Sequence, residues 1–378
     1  MYYNSVASIT LRKEFLVVKK SIVGLKGILS LVIFFYHLHY QLVFDGQPAV
    51  TYFFIISGFL MALGYKNKFV SLQPSTYFSF QIKRLVKLYP LQVLIFLISL
   101  LCIYFENAFV NIKIGVAIKN LLLLQSLTNL GSNIFSFNEV SWYLSTTIVL
   151  YLLTPFVIYF INKCKMGENL FKLTFSLIVV FLAGVAIAYY GIDNMEPYSN
   201  GWWFIYISPY YRIFDYLIGI FLGYIFAHVE QLVTQNKIQL NSIVFSCIEI
   251  LTLIMTFYLI QLRVIFAASI SYDMFYVPFA VLFIFVISFQ KGIISALLSS
   301  KIFLYIGTLS FEIYMLHKVF MRIIAGFLNL PLYGFPENGR ALFVHLSLLL
   351  VVIVFSDFIN NRFVKPVSTK LLALKSSK

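Results

Sequence analysis

The apolar stretch LKGILSLVIFFYHLHY carries Lys26 and His37, eleven positions apart. At about 100° per residue this is three turns plus roughly 20°, so both side chains share one stripe of a helix, about 16 Å apart along its axis. A cation then stands at the mouth of the segment and an imidazole deep inside it. A neutral imidazole takes a proton from a hydroxyl near neutral pH, which suits a general base. His39 points almost the opposite way. A histidine that only bonded a neighbouring helix would need no cation aligned with it, and the alignment favours chemistry at His37.

Other polar residues stand where apolar segments do not need them. QIKRLVKLYPLQV places Lys83, Arg84 and Lys87 within about one helical turn, ahead of Pro90, which should bend or restart the helix. The cluster suits anchoring to anionic lipid heads and equally suits a clamp for a phosphorylated ligand. SPYYRIFDYLIGIFLGY buries Arg212 and Asp215 three residues apart, close enough to neutralise one another across one turn. IGTLSFEIYMLHKVF holds Glu312 and His317, about 140° apart around a helix. Spacing alone does not decide whether His317 reaches the cavity of His37. In YFFIISGFLMALGY, Ser57 and Gly58 suit a small-residue contact between helices. EVSWYLSTTIVLYLLTPF offers Glu139, Trp142, Ser145 and Thr147 at a membrane surface, where an aromatic belt accounts for Trp142 and Tyr143. His228 and His345 receive no role, and the three cysteines, Cys102, Cys164 and Cys247, show neither a disulfide framework nor metal spacing.

The elements that must hold these residues are membrane helices. Of the 378 residues, 61% are hydrophobic and only 11% charged, 41 being Phe. A soluble domain usually carries about a quarter charged residues. Apolar runs of about 18 residues, enough to cross a hydrocarbon core roughly 30 Å thick, recur throughout. The expected fold is all-α, a polytopic transmembrane helix bundle of about ten spans: Ile22–Phe44, Ala49–Tyr65, Leu88–Phe105, Trp142–Ile161, Lys172–Tyr190, Trp203–Phe226, Ser242–Leu262, Ser269–Phe289, Ile302–Leu328 and Ala341–Asn361. The first run is too long for a cleaved signal peptide and lacks a small-residue cleavage site. The net charge of +14 comes mostly from Lys and Arg flanking the spans. They act as positive-inside anchors rather than a nucleic-acid surface, so membrane lipid is the expected partner and nucleic acid is not.

Loop charge sets the orientation. Arg12, Lys13, Lys19, Lys20 and Lys26, then Lys66, Lys68, Lys83, Arg84 and Lys87, then Lys163, Lys165 and Lys172, then Lys291 and Lys301 all mark cytoplasmic connections, with Lys365, Lys370, Lys375 and Lys378 in the final tail. Asp45, Asp193 and Glu196 fall on the opposite side. Counting Ile112–Leu127 as a span would reverse every later loop, and Lys119 in its middle would be costly at bilayer depth. It therefore reads as a re-entrant or interfacial helix, with both termini cytoplasmic. The chain divides into a basic tail over 1–21, a transmembrane domain over 22–362 and a basic tail over 363–378, in a cell membrane.

Taken in order, these motifs resemble the acyltransferase-3 family of integral membrane O-acyltransferases. The family hallmark is an Arg, ten intervening residues and a His in the first span; here Lys26 takes the Arg place and His37 matches. FFIISGF, KRLVKLYPL, WYLS, YYRIFDYLIGIFLG and GTLSFEIYMLH resemble its later segments, so that the likeness runs from about Leu25 to His317. Two departures stand out. Thr147 sits where many relatives carry a Glu, and Lys at two Arg sites loses the bidentate fork while keeping a point charge for phosphate. No extracellular esterase-like domain follows the last span.

The resemblance implies transfer of an acyl group, usually acetyl, from cytoplasmic acyl-CoA to a hydroxyl of a surface glycan or lipid-linked sugar, with no bound cofactor. It implies that Lys26, Arg84 and Lys87 hold the donor phosphates. His37 and His317 become the catalytic candidates, and Arg212 is grouped with the donor-binding residues and shapes the cavity. A glycan-precursor transporter or flippase would explain the spans and the basic face equally well, but not the His37 spacing together with the other ordered motifs. A glycan polymerase would want larger external loops. Succinyl or a longer acyl group remains open as an alternative to acetyl.

Overall fold

The computed structural model of the protein describes residues 19–40, 46–106, 113–192, 194–262, 266–327 and 339–376. Arg12, Lys13, Asp45, Asp193 and Lys378, used above for orientation, lie outside the described residues, as do the far ends of two expected spans, at Phe44 and Leu328. Among the described residues every regular element is helical. The principal helices are α1 (Lys20–His37), α2 (Gly46–Tyr65), α3 (Pro74–Phe105), α4 (Ile114–Leu121), α5 (Trp142–Lys163), α6 (Leu170–Gly191), α7 (Pro209–Gln235), α8 (Ser242–Leu262), α9 (Val277–Ser288), α10 (Ile293–Leu298), α11 (Lys301–Thr308), α12 (Ser310–Phe327), α13 (Gly339–Ile359) and α14 (Lys365–Ser376). Among the described residues, seven helical segments are long and apolar enough to cross a membrane. The protein is a polytopic helical membrane bundle.

Apolar side chains cover its outside. Phe171, Phe175 and Tyr190 of α6, Phe257 of α8 and Phe343 and Phe358 of α13 are exposed, as lipid-facing residues must be. Inside, close approach depends on glycine. A Cβ on Gly58 would lie 2.1 Å from the Tyr216 carbonyl oxygen, and one on Gly219 would lie 2.1 Å from that of Ile55. The α2 and α7 backbones therefore touch, which is the small-residue contact expected of Gly58. The contacts climb together along both helices, so α2 and α7 run in the same direction. Gly27 of α1 and Gly307 of α11 make a second such seam, a Cβ on Gly27 lying 2.7 Å from the Gly307 nitrogen.

Several expected spans take a different form. α3 does not restart at Pro90 but runs unbroken for 32 residues. At 1.5 Å per residue that is about 48 Å, longer than a hydrocarbon core, so its basic first turns project beyond it. The span expected over Ile302–Leu328 is two helices, α11 and α12, broken at Leu309. The Thr308 hydroxyl donates to the Tyr305 carbonyl at 2.7 Å, a side-chain bond that competes with helix continuation. The one over Ser269–Phe289 opens with a four-residue turn, Ala268–Ser271, before α9. A π-helical turn, Trp203–Ile207, precedes Pro209 at the start of α7. Among the described residues of the expected re-entrant segment, only α4 is regular; eight residues span about 12 Å, too short to cross.

The connections rich in Lys and Arg meet at one end of the bundle. Asn162 at the end of α5 donates to the Lys66 carbonyl at 2.7 Å, Lys19 pairs with Glu230, and Ser368 of α14 donates to the Val86 carbonyl at 2.9 Å. We refer to this as the basic end.

Candidate active site

α1 and α12 run side by side in the same direction and present their polar residues at two levels. Near the basic end, Lys26 of α1, Lys87 of α3 and the buried Glu312 of α12 are close enough to act on one another electrostatically. Among the described residues Glu312 Oε2 accepts no hydrogen bond. One turn before Lys87, Arg84 lies over three rings, with its guanidinium carbon 4.8 Å from the centre of Tyr65, 5.3 Å from Phe80 and 5.7 Å from Tyr151. Its Nε is buried and unpartnered, and among the described residues no carboxylate pairs with it. The rings hold the planar cation by cation–π attraction and leave its donors available. Ser57 Oγ lies 3.4 Å from the Tyr151 hydroxyl, tying this cage to α2.

Deeper in the bundle, His317 Nε2 lies 3.0 Å from His37 Nδ1. Glu312 and His317 point in different directions, as their 140° separation requires, yet α12 sits between α1 and α3 so that each meets a neighbour. The tautomers follow from the acceptors. His317 Nδ1 is 3.2 Å from the Ile313 carbonyl and His37 Nδ1 is 3.0 Å from the Ile33 carbonyl. A carbonyl only accepts, so both Nδ1 atoms carry the proton. His317 Nε2 is then a lone pair, and it accepts from His37 Nδ1–H. This leaves the lone pair of His37 Nε2 outside the pair. His317 is fully buried, whereas His37 is partly exposed.

Arg212 is not brought to this site. It is fully buried and donates to Asp215 at 2.9 Å and to the Tyr206 carbonyl at 2.9 Å, and it pairs with Asp273. Thr51 Oγ1 donates to Asp273 at 2.5 Å. Thr51 and Tyr65, the ring beneath Arg84, are fourteen residues apart on α2, which separates the two arginines by about 21 Å along that helix. Arg212 joins three parts of the chain through carboxylates.

Asp273 was not singled out from the sequence, although an acid within an expected span carries the same signal that flagged Asp215. Lys318, Arg322 and Glu249 were passed over in the same way. Glu249 accepts from the Ile294 and Ser295 amides at 2.8 and 3.0 Å, a structural cap on α10. Lys318 pairs with Glu139 at 2.7 Å. Arg322 forks onto Glu106, Nε to Oε1 at 2.8 Å and Nη2 to Oε2 at 2.5 Å, and this hydrogen-bonded guanidinium holds the Glu106 carboxyl below its ordinary range.

Trp142 departs from its expected place in an aromatic belt. It is buried against Tyr143 and Tyr206, its ring centre 5.2 Å from that of Tyr206. Thr147 bonds back to the Tyr143 carbonyl at 2.7 Å, and Ser145 accepts from the Ser126 amide at 3.1 Å. His345 bonds Tyr40 at 2.8 Å and His228 lies 3.4 Å from the Gly167 carbonyl; both are structural contacts.

The family model described as "Acyltransferase domain" matches residues 19–358, nearly the whole chain and every residue of the site. The chain belongs to the acyltransferase-3 family. Similarity also extends to the acyltransferase MdmB of Streptomyces mycarofaciens, at 25% identity over 232 residues, covering 54% of this chain. The match spans 57% of that relative's length. No solved structure matches. The family match begins at Lys19, so α1 with Lys26 and His37 is part of the acyltransferase-3 domain itself, as is α12 with Glu312 and His317.

Proposed function

We propose that this acyltransferase-3 protein is a membrane O-acyltransferase that moves an acyl group, acetyl in the simplest case, from cytoplasmic acyl-CoA to a hydroxyl of a surface glycan or lipid-linked sugar. The protein would lie in the cell membrane with the basic end and both termini in the cytoplasm. Lys26, Arg84 and Lys87 would receive the donor phosphates, Arg84 with its caged guanidinium and the lysines as point charges. The observation that carries the reading is the His37–His317 contact. It leaves one imidazole lone pair, at Nε2 of the partly exposed His37, about 16 Å along α1 from Lys26.

In the proposed step the acceptor hydroxyl gives its proton to His37 Nε2 as its oxygen attacks the thioester carbonyl. The carbon–oxygen bond forms, the carbon–sulfur bond breaks, and the proton passes to the leaving CoA thiolate. His317 Nε2 holds the imidazole ring through Nδ1–H and favours the imidazolium that forms. No carboxylate takes part at the position of Thr147.

The test compares the O-acyl content of surface glycan, by proton NMR, in cells lacking the protein and in cells complemented with wild type or His37→Ala at equal level. Wild type should restore the ester, and His37→Ala should lose about 10²- to 10⁴-fold in rate. Unchanged esters with a collapse in glycan amount or length would instead mark a transporter of glycan precursors.

A further inference from the structure

A cavity of about 370 Å³ opens at the far end of α3 and α12, away from the basic end. Lys87 and Cys102, which lines it, are fifteen residues apart on α3, about 22 Å along the axis. Its volume falls within the range of small-molecule sites. Neither imidazole lines it, but α12 carries both His317 and the wall residues Lys318, Val319 and Arg322. Lys318, in its wall, follows His317 directly and acts electrostatically on both imidazoles. Asn138, also in the wall, donates Nδ2–H to the Met315 carbonyl at 3.0 Å.

That last bond fixes the amide. Met315 offers only an acceptor there, so the NH₂ group must face it and Oδ1 must face away. Asn138 is 3% exposed and Ser99, also in the wall, is 1% exposed; among the described residues neither Asn138 Oδ1 nor the Ser99 hydroxyl has a partner. Buried acceptors left unmatched are unfavourable, so such a pair, on residues that line a cavity, is matched to a ligand that brings donors. The charges in the wall do not select a charged ligand. Glu106 is forked by Arg322 and Glu139 is paired with Lys318, two acids against two bases. Phe135 and Phe137 add aromatic surface.

We infer that this cavity is the acceptor subsite, and that it takes one neutral, hydroxyl-rich sugar ring, with a ring hydroxyl donating to Asn138 Oδ1 and a second bonding Ser99 Oγ. The assignment rests on the acyltransferase reading for its role, but binding is separable from transfer. Asn138 and Ser99 touch the sugar and leave the donor cluster untouched.

The test is saturation-transfer NMR on the purified full-length protein in lipid nanodiscs. The probes are the methyl pyranosides of glucose, galactose, mannose and N-acetylglucosamine, the methyl glycoside of glucuronic acid, and coenzyme A as a separate donor probe. At least one neutral pyranoside should receive saturation in wild type and the uronate should not. Asn138→Leu should weaken that signal roughly five- to hundredfold, and Ser99→Ala should weaken it less, with the coenzyme A signal retained in both. Ser99→Ala carries the test by itself if Asn138→Leu fails to fold. Silence from all four neutral probes, preference for the uronate, or an unchanged pyranoside signal in the folded variants would overturn the assignment. Loss of the coenzyme A signal alone, with the sugar signal intact, would strike the donor reading and leave the sugar site standing.

Discussion

His317 presents no surface to a ligand and His37 does, so the two imidazoles cannot exchange roles. In the proposed step His317 is a positioning residue that works through His37. Replacing it with Ala removes one of the two acceptors of His37 Nδ1–H, leaving the Ile33 carbonyl, and loosens the ring; a small misplacement of a catalytic group costs up to about a hundredfold in rate. His317→Ala should therefore lower kcat by about ten- to a hundredfold while the donor KM stays within about twofold. His317→Gln, whose side-chain carbonyl can accept the same proton, should recover part of the loss. Steady-state kinetics in nanodiscs decides between this and a merely structural role, which would depress the amount of folded enzyme without rescue by Gln. Part of this site was legible in one dimension and part was not. The eleven-residue spacing of Lys26 and His37 shows them on one stripe because both sit on one helix. The partner of His37 is 280 residues away, and the second acid on Arg212 is 61 residues away. No periodicity reports such distances; the sequence marks each residue as an expensive intramembrane polar group, and only the packing says which neutralises which.

At the scale of elements, the bundle depends on how tightly α2 lies on α7. Gly58 and Gly219 bring two backbones into contact, and the obstacle a side chain would meet at Gly219 is the Ile55 carbonyl, which cannot move aside as a flexible side chain could. Parting the helices would also draw Thr51 on α2 away from Arg212 and Asp215 on α7. Overpacking of a tight contact is unfavourable by about 1–3 kcal/mol. Gly219→Ala should therefore lower the thermal midpoint of the detergent-solubilised protein, read by cysteine-reactive dye unfolding, whereas Gly115→Ala, in α4, with open space around it, should leave the midpoint unchanged. Equal midpoints would show that the α2–α7 seam relaxes freely. Apolar runs in the sequence placed most spans within a few residues. They could not show the break at Leu309 or the continuation of α3 through Pro90, because hydropathy records how apolar a segment is and not whether its backbone bonds are unbroken. In α3 the Pro90 ring is accommodated inside the bundle without ending the helix.

For the whole molecule, the question is which end faces which compartment. The loops richest in Lys and Arg converge at one end, while Asn129, which donates to Tyr198 and Asn200, sits in connections at the other. Positive charge is retained on the cytoplasmic side of a membrane, so the basic end should face the cytoplasm and the 370 Å³ cavity the outside. The protein supplies its own reporter: Cys164, exposed, just after α5 at the basic end. In a background with Cys102 and Cys247 changed to Ser, a membrane-impermeant maleimide should label Cys164 only after the cells are permeabilised. When Cys164 is also changed to Ser, a cysteine introduced as Asn129→Cys should label in intact cells. The reverse pattern would put the Lys26–Arg84–Lys87 cluster outside, where no acyl-CoA is available. The site would then need a different donor, even with the His37–His317 pair unchanged. Labelling of both positions in intact cells would mean that the two connections share one side, which the paired directions of α2 and α7 do not allow.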